Sequence, residues 1–327
     1  MIFAYRQVAG RLERIPAAGA LDSPDTEALE QAAWIDLYRP LDSQVQKMAA
    51  IGIPVPSLAD MEEIELSSRL YRENGLEFMT VVLPGHSTSH EPVAGPVTFI
   101  LSDKVLVTVR HHAPRPFETY PERADKVGPG CIDSDRIFLS LIEEIIGRLA
   151  DLLEASGREL DHVAREVFKD TDNSGDNALR ALLLRIGREG EQISRVRLAL
   201  LTIERALSFY GTGLAERAGA HALKPLVKTL VRDIQALEVH TDFVSSRVSL
   251  ASDATLGVIN LAQAQTIKIF SVLAVVFLPP TVIASAYGMN FEIMPELKWT
   301  FGYPMALLLM VASAVGTYAF FKWRKLL

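Results

Sequence analysis

The sequence predicts an α+β membrane protein: an N-terminal α/β/α domain, a long helical hairpin continued by a stalk helix, and two C-terminal transmembrane helices. Three observations predict it. Short segments rich in β-branched and aromatic residues and bounded by Pro, Gly and Asp lie in the N-terminal part of the chain. From Asp135 onward the helical pattern dominates. Two uncharged apolar runs, Ile269–Tyr287 and Phe301–Phe321, then close the sequence. Each is near the roughly 20 residues that cross a hydrocarbon core as a helix. The expected boundaries are 1–130 for the α/β domain, 131–265 for hairpin and stalk, and 266–327 for the membrane domain. The spans fall at about 269–287 and 301–321, with an external loop over 288–300.

In order along the chain, AAWIDLY, LEFMTVVLP, PVTFILSD and VLVTVRH read as strands bounded by Pro, Gly and Asp. The last two are close enough to form a hairpin. DSQVQKMAAIGI and SLADMEEIEL read as helices, each opened by Ser or Asp. Together they predict one mixed sheet with helices against it. VGPGCIDSD ends this pattern at Gly128–Asp135. The next stretch is helical to Tyr210, interrupted by TDNSGDN at Thr171–Asn177 and ended by the glycines of FYGTGL, Gly211 and Gly213. DNSGD resembles the start of a calcium loop but lacks the twelve-residue ligand spacing, so it reads as the turn of an αα-hairpin.

No strong break follows from about Ala222 to Tyr287, and Pro225 is tolerated in a first helical turn. A helix of that length is roughly 100 Å long. The first membrane span is therefore expected to be the end of the stalk, so that motion of the soluble part reaches the membrane mechanically. Pro279-Pro280 within it should kink the helix or free a carbonyl.

Lys268 precedes the first span, and Lys322, Arg324 and Lys325 follow the second, which places both termini in the cytoplasm by the positive-inside bias. Trp299, Tyr303 and Trp323 stand where aromatic belts form. The N-terminus MIFAYRQVAGRLER has no long apolar core and reads as no signal peptide. Before Lys268 the chain carries 28 basic and 38 acidic residues, a net of −10. An acidic soluble part beside a membrane concentrates cations at its mouth, although solubility alone explains the same balance. The overall charge of −7 argues against nucleic acid as a partner. The single cysteine excludes an intrachain disulfide and a thiolate zinc cluster. No nucleotide signature appears, which disfavours an ATP-driven pump and a nucleotide partner, and the chain is read as a transporter and not an enzyme.

Two spans cannot enclose a polar pathway within one subunit, so conduction requires several copies around a shared axis. Alternating steps of four and three residues along this long helix, through its end in the first span, give a candidate pathway face: Asp253, Gly257, Asn260, Ala264, Ile267, Ser271, Ala274, Leu278, Thr281, Ser285 and Gly288. Small and polar residues dominate it, while Val272, Val275, Val276, Phe277, Val282 and Ile283 fall off it. Such a stripe suits either a water-filled path or a tight helix–helix interface, and periodicity does not separate the two. Around an axis it gives an acidic ring at Asp253, an amide ring at Asn260, apolar collars at Ile267 and Leu278, and hydroxyl rings at Thr281 and Ser285. Apolar collars can gate by dewetting.

Tyr287-Gly288-Met289-Asn290 follows the first span, and Phe291-Glu292-Ile293-Met294-Pro295-Glu296-Leu297 comes next. Together with Arg232-Asp233, IKIFSVLAVVFLPPT and the basic tail, this resembles the CorA metal ion transporter family, whose signature is Gly-Met-Asn between two C-terminal spans, followed by a Met-Pro-Glu-Leu loop. The bare tripeptide is common; its place between the spans with that loop is specific. The N-terminal domain agrees in layout but carries no signature.

The resemblance implies a homopentamer in which stalk helices form a funnel, first spans line the pore and second spans surround them. It implies passage of hydrated Mg²⁺, with Co²⁺ and Ni²⁺ as further cargo, through a bacterial inner membrane, and regulation by intracellular Mg²⁺. Gly288, Met289 and Asn290 become the selectivity filter. Glu292 and Glu296 of the external loop attract cations, and Asp253 becomes a carboxylate near the cytoplasmic end. The implied metal-contacting residues are Asn290, Gly288, Asp253 and Asp233. Mg²⁺ dehydrates reluctantly, and neutral amide and carbonyl oxygens can accept hydrogen bonds from its waters without stripping them. Helix capping is the structural alternative for Asn290. Asp233 is the candidate sensor, its partner carboxylate expected in another subunit; a surface ion pair is the alternative. The family often has Asn near Ala264; that ring is missing here, and Asn260 stands one turn earlier.

Several features read as structural. His86 and His90 lie in a polar loop, His111-His112 ends a strand, and Glu143-Glu144, Glu189 and Glu191 have arginines nearby. Two other functions stay open. The zinc-transporting branch of the superfamily keeps the tripeptide but usually differs in the following loop. A non-conducting membrane sensor of Mg²⁺ would not require the tripeptide.

Overall fold

A computed structural model of the chain describes residues 1–16, 24–169, 176–214, 220–289, 294–295 and 299–324. Seven strands form one mixed sheet: β1 (Ile2–Val8), β2 (Arg11–Ile15), β3 (Trp34–Tyr38), β4 (Leu70–Glu73), β5 (Leu76–His86), β6 (Pro92–Leu101) and β7 (Leu106–Arg110), in the order β2-β1-β3-β7-β6-β5-β4. β3 and β7 pair in parallel and the other neighbours antiparallel. The expected hairpin is β6–β7, with Leu101 opposite Leu106.

The strand pleat sorts side chains to two faces. On β6, Val97, Phe99 and Leu101 enter one core and Ile100 the other. The second core is completed by Leu29 of α1 (Thr26–Glu30), Met48 of α2 (Asp42–Ala50) and Met61 of α3 (Leu58–Glu62). A single turn, α4 (Leu66–Arg69), leads into β4. The first core takes Phe117 and Tyr120 of α5 (Pro116–Arg123) and the long helices beyond. Helices thus cover both faces, as an α/β/α layering requires. The helix expected over SLADMEEIEL is shorter than its sequence suggested. It is held at its start by Ser57, which accepts from the Asp60 amide, and it stops at Glu62.

A buried polar network crosses the sheet beneath α5. The Asp36 carboxylate accepts from Thr108 Oγ1 at 2.8 Å and from Arg110 Nη2 at 2.9 Å, and Trp34 Nε1 donates to Thr108 Oγ1 at 3.1 Å. The Arg110 guanidinium also lies against the Tyr38 and Phe117 rings. Every strong donor here has a partner, which is what makes a buried pair tolerable. Nearby, His112 Nε2 meets Leu83 O at 2.9 Å, and its ring packs so closely that a Cβ on Gly95 would stand 2.8 Å from Nδ1. Cys131 is buried, its thiol donating to Gly10 O at 3.1 Å, and burial raises its pKa.

The long helices are α6 (Ser134–Lys169), α7 (Asp176–Gly213) and α8 (Lys224–Tyr287). A 3₁₀ turn, Ala220–Leu223, leads into α8. α7 runs through Gly211 and ends at Gly213, so the first glycine does not break it as expected. The TDNSGDN turn falls almost entirely outside the described residues. Buried positions recur at alternating steps of three and four: Leu149, Leu153, Ser156, Leu160, Val163 and Val167 on α6, and Ile193, Val196, Leu200, Ile203, Leu207 and Tyr210 on α7. On α8 the series begins Val227, Leu230, Ile234 and returns at Val244. This is coiled-coil spacing, and it packs three helices side by side. The one polar member on α6, Ser156, accepts from Gln192 Nε2 at 3.0 Å. Arg185 of α7 ties the hairpin by pairing with Glu159 at 2.7 Å and Glu166 at 2.5 Å.

The chain forms two compact units. One comprises residues 1–169 and 180–252, and the other residues 170–179 and 253–327. The second contains the membrane-crossing part of α8 and α9 (Gly302–Trp323). Both helices are long and apolar enough to span a bilayer, and 0% and 6% of their most apolar windows are buried within the chain. A core helix of a soluble protein would be covered, so burial distinguishes the two readings in favour of the membrane.

Candidate functional site

Within the membrane unit, α8 is uninterrupted from Asp253 to Tyr287, Pro279-Pro280 included. The two prolines have no N–H to give to Val275 and Val276, so those carbonyls lose their helical donors. Thr281 directly follows and donates its hydroxyl to Phe277 O at 2.7 Å. The expectation that the pair frees carbonyls therefore stands on chemistry, while the helix itself continues.

Between Ile269 and Tyr287 the half-buried residues are Val272, Val276, Pro279, Pro280, Ile283 and Tyr287. They form the side of α8 beside α9. The expected pathway residues lie on the other side of the helix by the 3.6-residue turn. Asp253, Gly257, Asn260, Ala264, Ile267, Ser271, Ala274, Leu278, Thr281 and Ser285 are all exposed within one chain. The structure thus strings them along one uncovered stripe. From Asp253 to Gly288 that stripe is roughly 50 Å long at 1.5 Å per residue. One subunit does not bring its two ends together.

At the far end of α8, Gly288 N–H donates to Ala284 O at 2.9 Å, and Met289 N–H reaches Ala286 O at 3.4 Å. Gly288 is not among the residues with positive φ. Helices that stop on a glycine commonly use its left-handed conformation, and this one does not. An added Cβ would sit 3.1 Å from Ala284 O, a tight approach but not a prohibitive one. The glycine is therefore not required to end the helix. Met289 is half exposed. Asn290, Glu292 and Glu296 lie outside the described residues.

Asp233 sits in the other unit, exposed on α8. The structure brings its charge to bear on Glu143 of α6. Burial first, and Asp233 second, raise the Glu143 carboxyl above its ordinary value. Glu143 Oε2 is buried with no hydrogen-bond partner. It borders a cavity of about 610 Å³ with Arg115, Thr119, Gly128, Glu144 and Arg148. The expectation of an ordinary ion pair fits Glu144, which accepts from Arg123 at 2.9 Å, and Glu191, which pairs with Arg195. It is corrected for Glu143, whose Oε2 lies against Gly128, buried and without a hydrogen-bond partner. Nothing in the sequence near Glu143 announces this, since Asp233 is ninety residues away and Gly128 acts through backbone position.

A second feature escaped the sequence reading. Val239, Phe243 and Leu250 of α8 are 71%, 58% and 69% exposed. They continue the four-three spacing backward from Asp253, on the side of α8 facing away from α6 and α7. Extending that spacing upstream would have found them. His86 and His90 join no metal cluster, and among the described residues no three His, Cys, Asp or Glu side chains gather as one.

The profile described as CorA-like Mg2+ transporter protein matches residues 30–323. The Magnesium transport protein CorA of Pectobacterium atrosepticum is 32% identical over 332 residues, which cover 98% of each chain. The complete structure of the CorA magnesium transporter from Methanocaldococcus jannaschii superposes with a TM-score of 0.66 at 17% identity, covering 98% of this chain and 97% of that one. The ZntB cytoplasmic domain from Vibrio parahaemolyticus superposes with a TM-score of 0.52 at 11% identity, over 78% of this chain and 96% of that domain. At such identities these two likenesses speak for the fold alone. With a family match over nearly the whole chain and a relative above 30% identity along its full length, the chain belongs to the family of CorA-like Mg2+ transporter proteins.

Proposed function

We propose that this chain is one subunit of a homopentameric channel that moves hydrated Mg²⁺ passively across the bacterial inner membrane, with both termini cytoplasmic. The observation that carries the reading is the uncovered stripe of small and polar residues on α8, opposite α9. A lipid-facing surface would not hold Ser271, Thr281 and Ser285 in line within the span, in the same register as Asp253 and Asn260 before it. Copies of the same stripe around an axis turn that cost into a wet path. The exposed apolar residues Val239, Phe243 and Leu250, in the same register, give the soluble part of the helix a self-complementary face.

In this reading Gly288, Met289 and Asn290 form the selective mouth. The backbone at Gly288 does not need glycine to end the helix, which supports a role in close approach to the hydrated ion. Amide and carbonyl oxygens accept hydrogen bonds from the ion's water shell, and Glu292 and Glu296 raise the local cation concentration. Co²⁺ and Ni²⁺ present a similar shell and pass with it. An inside-negative potential drives entry by about 2.3 kcal/mol per charge per 100 mV. Regulatory Mg²⁺ would engage Asp233 and, at the inner end, Asp253; carboxylate oxygens are the donors this hard cation takes.

The test is ion flux into proteoliposomes, wild type beside Asn290→Ala. Potential-driven Mg²⁺ entry, lost in an assembled mutant, is the expected result. Zn²⁺ flux that needs a proton gradient, without Mg²⁺ entry, would move the protein to the zinc branch. Silence for every ion in an intact oligomer would make it a sensor.

A further inference from the structure

Where α8 and α9 lie side by side in the membrane unit, a groove of about 540 Å³ remains open between them. Its body is apolar: Ile269, Val272, Leu273 and Val276 form one wall, and the Tyr318 ring stands on the other helix. Its polar groups are gathered at one end. Lys268 and Gln265 precede the apolar run on α8. On α9, Lys322 stands one turn beyond Tyr318 on the same face and is exposed. Neither lysine has a carboxylate partner among the described residues. A slot that is apolar along its length and doubly cationic at one end, opening sideways from a membrane helix pair, has the polarity of an anionic amphiphile.

We propose that this groove holds one anionic phospholipid, its acyl chain along Ile269, Val272, Leu273 and Val276 and its phosphate at Lys268 and Lys322. Size, polarity and charge all point to that occupant. An acyl chain fits a narrow apolar slot that side chains have left unfilled, and basic pockets at the cytoplasmic end of helix pairs select anionic headgroups. A zwitterionic lipid would fill the slot equally but gain nothing from two unpaired ammonium groups. A helix from a second copy would have to bury both lysines without a counter-charge. The groove also opens on the side of α8 away from the pathway stripe. This last point rests on the proposed assembly, whereas the charge argument does not.

The experiment reads lipid binding and needs no ion flux, so a failed transport reading and a failed lipid site are separable. Full-length protein is reconstituted in phosphatidylcholine bilayers with spin-labelled phosphatidylglycerol or spin-labelled phosphatidylcholine, and the immobilised fraction of each is measured. Wild type should prefer phosphatidylglycerol. Lys268→Gln and Lys322→Gln should each weaken that preference by about fivefold, the effect of one cation near an anionic surface. Val272→Trp, which fills the slot, should remove one immobilised lipid per subunit, and Leu308→Trp on the exposed face of α9 should not. Circular dichroism and the oligomer mass of each variant show that it is folded. Equal binding of the two lipids by wild type would overturn the proposal. So would a preference that survives both lysine changes. Loss of assembly in Val272→Trp with lipid selectivity intact would assign the groove to a neighbouring subunit instead.

Discussion

His112 shows how much a single buried side chain sets the stability of the soluble part. Its Nε2 donates to Leu83 O, a bond that either protonation state can make, so burial decides which form the fold prefers. Burial first, opposed by that hydrogen bond and reinforced by Arg110 and His111, lowers its pKa to about 4. Unfolded, the imidazole titrates near 6.5. Between those values the unfolded chain binds a proton that the folded chain does not. The stabilisation is complete above pH 6.5 and is lost as pH falls toward 4. Burial lowers His111 as well, which adds in the same direction. Acidifying detergent-solubilised protein from pH 6.5 to 5 should therefore cost on the order of 2 kcal/mol. Thermal melts across that interval should show the loss, and His112→Gln should flatten it; an unchanged slope in the mutant would place the titration elsewhere. His111-His112 read as structural in the sequence, and for His112 the strand end and the two close glycines, Gly85 and Gly95, explain why. The sequence offered no hint of Glu143's isolation, because Gly128 folds over it and the nearest like charge comes from α8.

At the scale of elements, β3, β5, β6 and β7 were legible, while the edge strands β2 and β4 were not, nor was β1, which lies between β2 and β3. β3, β5, β6 and β7 are dense in Val, Ile, Leu and Phe. β2 is an edge strand with Arg11, Glu13 and Arg14 exposed, the charged disguise that keeps edges from pairing with other chains. Its turn through Ala9-Gly10 has φ of 51° and 84°, but lacks the usual Asn-Gly signal. The β4–β5 turn does carry that signal: Asn74-Gly75, with φ of 50° and 80°, closes it, and attention to that dipeptide would have found β4. The long helices were plain from length and pattern. Their outer face was overlooked, because the Asp253 series was not extended upstream to Leu250, Phe243 and Val239. Replacing Phe243 and Leu250 together with Asp should leave helix content unchanged and reduce the oligomer mass in light scattering. A wild-type oligomer mass would mean that this face contacts nothing in the assembly.

For the whole molecule, regulation in the proposed channel is the property that depends on more than one subunit. Asp233 is exposed and already raises the Glu143 carboxyl, an arrangement of like charges that a divalent cation would relieve. Asp233→Ala should weaken protection of the soluble part from protease by Mg²⁺, shifting the half-protecting concentration upward by about tenfold, as expected if one carboxylate ligand contributes on the order of 1.4 kcal/mol. Unchanged protection would leave Asp233 as an ordinary surface acid. The membrane domain was legible for a different reason from the rest. Its spans follow from length and lack of charge, whereas Asn290, Glu292 and Glu296 were found by motif alone.

The solitary thiol has a practical consequence. Cys131 is buried, hydrogen-bonded and shifted toward its protonated form, and thiol reagents attack only the accessible thiolate. The natural chain should therefore give no labelling with methanethiosulfonates or maleimides, and labelling of the folded protein would show Cys131 accessible. A cysteine placed in turn at each position from Asp253 to Ser285 would be the sole reactive group in the protein. Modification rates from either side of a bilayer would then show, residue by residue, which of these positions meets water, with no prior removal of native sulfur.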